Sequence, residues 1–212
     1  MNGAGKTTAL RMLSTILTPT AGRASVDGID VTSDPGAVRA RIGFLSTSTA
    51  LYGRLTARET LVYFGGLYGM RGTALERRLD ETIARLEIGP FEGRLCDKLS
   101  TGQKQRVSIA RATLHDPPVL FFDEPTAGLD VVASQAVLEF IEESRERGKT
   151  IVFSTHIMSE VERLCDDVAV IHDGRLVGQG TAEELKRSTD SPTLEGAFLK
   201  LVRFERALGR AA

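Results

Sequence analysis

The stretch Val119-Leu-Phe-Phe-Asp-Glu-Pro-Thr-Ala-Gly-Leu-Asp130 decides how the rest of the chain is read. Its four leading apolar residues are strand-sized, and they deliver two adjacent acids, Asp123 and Glu124, to the strand's carboxyl end. In open α/β sheets that end is where ligands sit. A strand that merely closes in a solvated acidic turn is better suited by one acid than by two. The pair ahead of PTAGLD suits a site in which Asp123 holds Mg²⁺ through water and Glu124 polarises an attacking water.

The amino terminus supplies a counterpart. Met1-Asn-Gly-Ala-Gly-Lys-Thr-Thr8 closes with the last three residues of the phosphate-binding pattern G-x-x-x-x-G-K-[ST]. Met1, Asn2, Gly3 and Ala4 fill the four variable positions, and the pattern's leading glycine falls one residue before the chain starts. Glycine at positions 3 and 5 lets the backbone curl until successive N–H groups and the next helix start converge on phosphate. Lys6 would neutralise β- and γ-phosphate oxygens, and Thr7 would ligate Mg²⁺. Leu99-Ser-Thr-Gly-Gln103 precedes a helix with Val107, Ala110 and Leu114 on one face. Ser100 to Gln103 is an S-x-x-Q capping box, which alone implies a capped helix and nothing more. Its place about twenty residues ahead of the acidic pair gives it a further meaning. His156 directly follows the strand-like TIVFST, whose end should face the same crevice as Asp123 and Glu124. A γ-phosphate contact is the role expected of it. His115 and His172 lack such a setting and read as surface or turn residues.

Between these points the pattern alternates. Thr8 to about Leu17 reads as a helix with Leu10, Leu13 and Leu17 on one face. Residues 24–31 read as a hairpin around Asp27-Gly28, and residues 38–45 contain a short strand ending near Leu45. From about 48 to 98 the chain turns helical, with T-x-x-E capping boxes at Thr56–Glu59 and Thr73–Glu76. After the second box, Leu75, Leu79, Ile83 and Leu86 keep helical spacing. Strand-like runs resume at Val119–Phe122, Ile151–Ser154 and Val168–Ile171, with a helix over Val131–Arg147 closed by Gly148. Leu194–Leu208 reads as an appended amphipathic helix. Strands alternating with helices predict an α/β fold with a mostly parallel sheet flanked by helices. The helical stretch, taken as about 48–115, forms an inserted subdomain.

Bulk properties narrow the function. With 212 residues the chain is one domain's worth. Its 27 Lys and Arg against 28 Asp and Glu lack the basic excess of a nucleic-acid binder. The apolar runs are too short for a membrane span. Cys96 and Cys165 form no C-x-x-C pair and suggest neither a disulfide framework nor a zinc site. A reducing cytoplasm fits.

Taken in order, these motifs resemble the ATP-binding cassette family of P-loop ATPases, and the resemblance spans essentially the whole chain. NGAGKTT is similar to its Walker A loop, LSTGQ to its signature, VLFFDEP to its Walker B segment, AGLD to its D-loop and STH to its switch histidine. The resemblance implies ATP and Mg²⁺ as ligands. It implies nucleotide contacts from Asn2, Gly3, Ala4, Gly5, Lys6, Thr7 and Thr8, and from Ser100, Thr101, Gly102, Gln103 and Asp130. Asp123 and Thr7 would bind the metal, and Glu124 and His156 would serve catalysis. Two subunits would pair head to tail, so that Ser100 and Gly102 of one close over the γ-phosphate held by Lys6 of the other. Asp130 would link the two sites. The layout around LYGRLTARETLVYFGGLYG and GQGTAEEL is similar to export-type subunits of the sodium-efflux (NatA-type) and drug-efflux kinds. These power a separate integral-membrane permease from the cytoplasmic face of the cell membrane and need no nucleic acid.

Two departures accompany the resemblance. Family members carry further amino-terminal strands, including one that enters the phosphate loop, and an aromatic residue that stacks on adenine. The expectation is therefore an amino-terminally truncated cassette whose lost strand would strip ladder partners from its neighbours. At the Q-loop, Ile42-Gly-Phe-Leu-Ser-Thr47 puts Thr47 where the family has glutamine, making Thr47 a candidate metal ligand of shorter reach. Thr101 also replaces the signature's first glycine. Two other readings stand beside the transporter subunit: a cassette ATPase of DNA repair or translation, and an inactive truncated cassette.

Overall fold

A computed structural model describes residues 3–46 and 50–209, the last five as backbone alone. The chain divides into two compact units, residues 10–153 and residues 1–9 with 154–212.

The larger unit is built on a three-stranded sheet in the order β3-β4-β5 (β3 Ile42–Leu45, β4 Val119–Asp123, β5 Thr150–Ser154). The pairing β3/β4 is parallel, running in register from Ile42 opposite Val119 to Leu45 opposite Phe122. All five residues of β4 are buried, as a central strand covered on both faces requires. β5 ends the order, and its Val152 is 41 % exposed. Ahead of the sheet, β1 (Ser25–Val26) and β2 (Ile29–Asp30) pair antiparallel. Their turn places Asp27 and Gly28 at φ +50° and +76°, the double left-handed geometry of a tight hairpin. A helix not foreseen from the sequence, α2 (Pro35–Arg41), then enters β3. Asp34 caps it by accepting from the Ala37 N–H at 2.9 Å, and proline sits in its first turn. Leu10, Val26, Val31, Val38, Ile42, Val119 and Phe121 form the core beneath.

Among the described residues from 50 to 115 every regular element is helical: α3 (Ala57–Leu67), α4 (Gly72–Arg85), two short 3₁₀ turns and α5 (Thr101–Thr113). The box at Thr56 forms as expected, with both reciprocal bonds present. The box expected at Thr73 does not. Helix α4 starts two residues earlier, with Arg71 as its N-cap and no capping side chain. Glu76, the acid the box needed, instead accepts from Arg58 at 2.8 Å within a cluster that also holds Asp80 and Glu92. Leu75, Leu79, Ile83 and Leu86 are all buried, as their spacing predicts. Helix α6 (Val131–Glu146) follows β4 and closes at Gly148, φ +78°.

In the smaller unit α1 (Lys6–Leu13) begins, and β6 (Val168–His172) pairs antiparallel with β7 (Arg175–Gly180) across an Asp173-Gly174 turn. Helix α1 stops short of Leu17, which is exposed rather than part of the expected apolar face. Strand β7, α7 (Met158–Leu164) and α8 (Ala182–Ser188) add to the elements expected from sequence, and Thr181 and Glu184 form a complete capping box on α8. Val161, Val170, Leu185 and Leu194 make this unit's core, with Phe198 and Leu201 of α9 (Leu194–Gly209) packed against it.

Candidate functional site

The residues nominated from sequence fall into two groups, one in each unit. In the larger unit β4 carries Asp123 to its carboxyl end, where the residue is 1 % exposed. Glu124 follows at φ +50°, a left-handed conformation uncommon for a residue with a side chain. Two successive turns, Ala127 N–H to Glu124 C=O at 3.1 Å and Leu129 N–H to Thr126 C=O at 3.2 Å, bring the chain to Asp130. Asp130 caps α6 by accepting from the Ala133 N–H at 2.8 Å.

Helix α5 opens beside this segment. Ser100 Oγ accepts from the Gln103 N–H at 3.2 Å, while Gln103 Oε1 accepts from the Ser100 N–H at 3.0 Å. The capping box read from the sequence is therefore real. It leaves the Ser100 hydroxyl proton available to donate elsewhere, since a hydroxyl both accepts and donates. Gly102 is required by proximity: a Cβ there would lie 2.9 Å from Cβ of Ala133. The starts of α5 and α6 thus meet, with Ser100, Thr101 and Asp130 exposed at the junction. Gln105, which no sequence pattern singles out, donates its side-chain amide to the Pro125 carbonyl, one residue past Glu124.

The far end of α5 is anchored differently. Arg78 Nε donates to the Leu114 carbonyl at 3.1 Å, and Lys149 pairs with Asp116 at 2.7 Å. That lysine, more than any other group, holds the Asp116 carboxyl below its usual range. His115 stacks on Tyr68 with ring centroids 3.6 Å apart and meets the Ile42 carbonyl at 3.0 Å. Burial pushes its pKa down from 6.5 to about 4. It is not the surface residue the sequence suggests, and neither is His172, which is 2 % exposed on β6. For His115 an aromatic neighbour, invisible in the linear pattern, covers the ring.

In the smaller unit Gly3 and Gly5 stand at φ +84° and +105°, and α1 starts at Lys6 with no acid in its first turn. The Ala4 carbonyl accepts from the Gly174 N–H at 2.9 Å, tying the loop to the β6–β7 turn. A Cβ on Gly5 would come within 3.3 Å of Gly174 Cα, so both dihedral and space call for glycine there. Lys6 and Thr7 are half-buried, Thr8 is exposed, and His156 is exposed just past β5. Asn2 and Thr47 lie outside the described residues.

Comparison with known proteins identifies the family of the chain. The family model described as "ABC transporter" matches residues 1–127, more than half of the chain, and one described as "AAA domain, putative AbiEii toxin, Type IV TA system" matches residues 95–162. The chain is 45 % identical over 204 residues to the ABC transporter ATP-binding protein NatA of Bacillus subtilis (strain 168), covering 95 % of this chain and 83 % of NatA. It is 34 % identical to the probable multidrug ABC transporter ATP-binding protein YbhF of Escherichia coli (strain K12), covering 95 % of this chain but only 36 % of YbhF. It is 38 % identical to the daunorubicin/doxorubicin resistance ATP-binding protein DrrA of Streptomyces peucetius, covering 91 % of this chain and 58 % of DrrA. Among solved structures, an ATP-binding subunit of an ABC transporter superposes with a TM-score of 0.85 at 31 % identity, over 95 % of this chain and 85 % of that one. A dimeric ATP-binding cassette in a post-hydrolysis state, bound to ADP and Pi, gives 0.76 at 28 % identity, over 85 % and 82 %. Matched along nearly its whole length by such proteins, this chain belongs to the family of ABC transporter ATP-binding proteins and shares its P-loop fold and ATPase chemistry.

Proposed function

We propose that the chain is the ATP-hydrolysing subunit of an efflux system, working as a head-to-tail pair on a separate membrane permease. The observation that carries the pairing is the junction of α5 and α6. Beside the exposed Ser100, Thr101 and Asp130, Val131 and Val132 are 85 % and 75 % exposed. Apolar side chains next to a capped helix start are the kind of surface a partner covers. A second copy laid across that junction would present the triphosphate held by its own Lys6 to Ser100–Gln103, where the positive end of α5 favours a polyanion.

Hydrolysis is then in-line attack of water on the γ-phosphate, driven by positioning and charge stabilisation. Glu124 polarises the water, Lys6 neutralises phosphate oxygens, and the Ser100 hydroxyl donates to the γ-phosphate across the pair. His156 supplies a further γ-phosphate contact, and Asp130 links the two sites. The hydroxyl of Thr7 and the carboxylate of Asp123 are hard oxygen donors of the kind Mg²⁺ takes. Among the described residues no group of three or more His, Cys, Asp or Glu gathers. Mg²⁺ takes one or two protein carboxylates and fills its shell with phosphate and water. Bound there, it would neutralise charge on the transferring phosphoryl group.

No helix among the described residues is long and apolar enough to cross a membrane. In this reading the permease is a separate chain, and the helical stretch, with Tyr52, Tyr63 and Leu67 at 56 %, 48 % and 64 % exposure, is the segment that docks it. The protein works in the cytoplasm on the inner membrane face. The exported solute is an ion or small molecule, as the drug-resistance name of DrrA and the multidrug name of YbhF suggest. The direct test of the chemistry is Glu124→Gln. Turnover should fall by about a hundredfold or more while ATP still binds; steady-state hydrolysis near the wild-type rate would remove Glu124 from its role.

A further inference from the structure

Glu124 sits in a left-handed backbone conformation, which a residue with a side chain keeps only when its surroundings hold it there. One bond to the turn that carries it comes from α5. The Gln105 amide donates to the carbonyl of Pro125, the residue directly after Glu124, and Pro125 is buried so that this carbonyl has a fixed direction. Three residues earlier on the same face of α5, Gly102 abuts Ala133 in the first turn of α6. Helix α5 therefore touches the segment from Glu124 to Ala133 at both of its ends. The first contact holds the acid's own turn, and the second holds the helix that Asp130 caps.

We propose that Gln105 is a positioning residue for Glu124, linking the seating of the Ser100–Gln103 end of α5 to the direction of the Glu124 carboxylate in the same subunit. The inference rests on the reading of Glu124 as the water-polarising group and of Ser100–Gln103 as a γ-phosphate contact. Its consequence is a particular coupling. The signature end of α5 engages the nucleotide of the partner, whereas Glu124 acts on the nucleotide of its own subunit. Docking at one site thus straightens the acid at the other through one side-chain bond, and loss of that bond leaves nucleotide binding intact while the acid wanders.

Three variants read this out: Gln105→Met, which keeps the shape and removes the donor; Gln105→Lys, which restores a donor of similar reach; and Glu124→Gln as a parallel control. For Gln105→Met we expect kcat about tenfold lower with KM and the Kd for ATP within about twofold of wild type, the signature of an interaction that matters only in the transition state. Gln105→Lys should recover most of the rate. A merely structural glutamine predicts otherwise: kcat, KM and thermal midpoint moving together, with no recovery from lysine, and that result would overturn the proposal. Should Gln105→Met fail to fold, Gln105→Glu takes its place, because it opposes an acceptor to the Pro125 carbonyl; a wild-type rate there refutes the link, and a tenfold loss supports it. If Glu124→Gln is inactive and Gln105→Met turns over at the wild-type rate, this inference alone fails. If Glu124→Gln stays active, the underlying reading of the acid fails with it.

Discussion

Two helices in this molecule begin where a phosphate is expected, and they begin in opposite ways. Helix α1 is approached through backbone that only glycine takes easily, Gly3 and Gly5 at φ +84° and +105°, with Gly5 pressed against Gly174. Helix α5 is approached through ordinary extended backbone at Ser100, φ −65° and ψ 165°, and is fixed by two reciprocal side-chain bonds. The first start works by the absence of side chains and the second by their presence. The phosphate loop should therefore tolerate no added atom at position 5. The α5 start should accept any residue that caps, unless the serine does more than cap. That condition separates folding from function at the two ends.

The largest effect is expected at the loop. Gly5→Ala forces a side chain into a dihedral that costs of order 1–3 kcal/mol and into contact with the Gly174 backbone. We expect ATP affinity to fall about a hundredfold by titration with a fluorescent analogue, since in the proposed reading the loop's converging N–H groups bind the phosphate. Unchanged affinity would show that the loop's curvature is incidental. Next comes Ser100→Asp, which sharpens the comparison. Aspartate caps as well as serine, so the thermal midpoint should stay near wild type, yet it brings a negative charge and no donor. ATPase activity should drop about tenfold or more, each tenfold being about 1.4 kcal/mol of transition-state stabilisation. Full activity would reduce Ser100 to a cap. The smallest effect lies at the other end of α5. His115 is held neutral in the fold, its pKa lowered from 6.5 to about 4. The unfolded chain takes up the proton first, so the stabilisation is complete above pH 6.5 and is lost as pH falls toward 4. Between pH 7 and 5.5 this group should cost about 1 kcal/mol of stability, and His115→Gln should flatten that part of the denaturation profile. An unaltered pH profile would mean the ring titrates normally.

Much of this architecture is legible in the order of the amino acids. Both glycines of the loop, the Asp27-Gly28 turn, the boxes at Thr56 and Ser100 and the buried faces of α4 and α5 are local grammar, and local grammar survives folding. What fails does so for non-local reasons. The T-x-x-E at Thr73 is sound as a pattern, but Arg58, far off in sequence, claims Glu76. The bond from Gln105 to Pro125 joins a helix to a turn twenty residues on, and no periodicity announces it. His115 reads as exposed because nothing near it in sequence foretells the Tyr68 ring. Helices α2 and α8 are a different case: Asp34-Pro35 and the T-x-x-E at Thr181 carry their start signals openly, in segments too short for a convincing apolar period.

The central claim is that two copies close on ATP at the α5–α6 junction, and solution mass tests it most directly. Glu124→Gln, saturated with ATP and Mg²⁺, should elute at twice the mass of one chain by light scattering and return to a single chain when ATP is replaced by ADP. A species of single-chain mass under saturating ATP would contradict it.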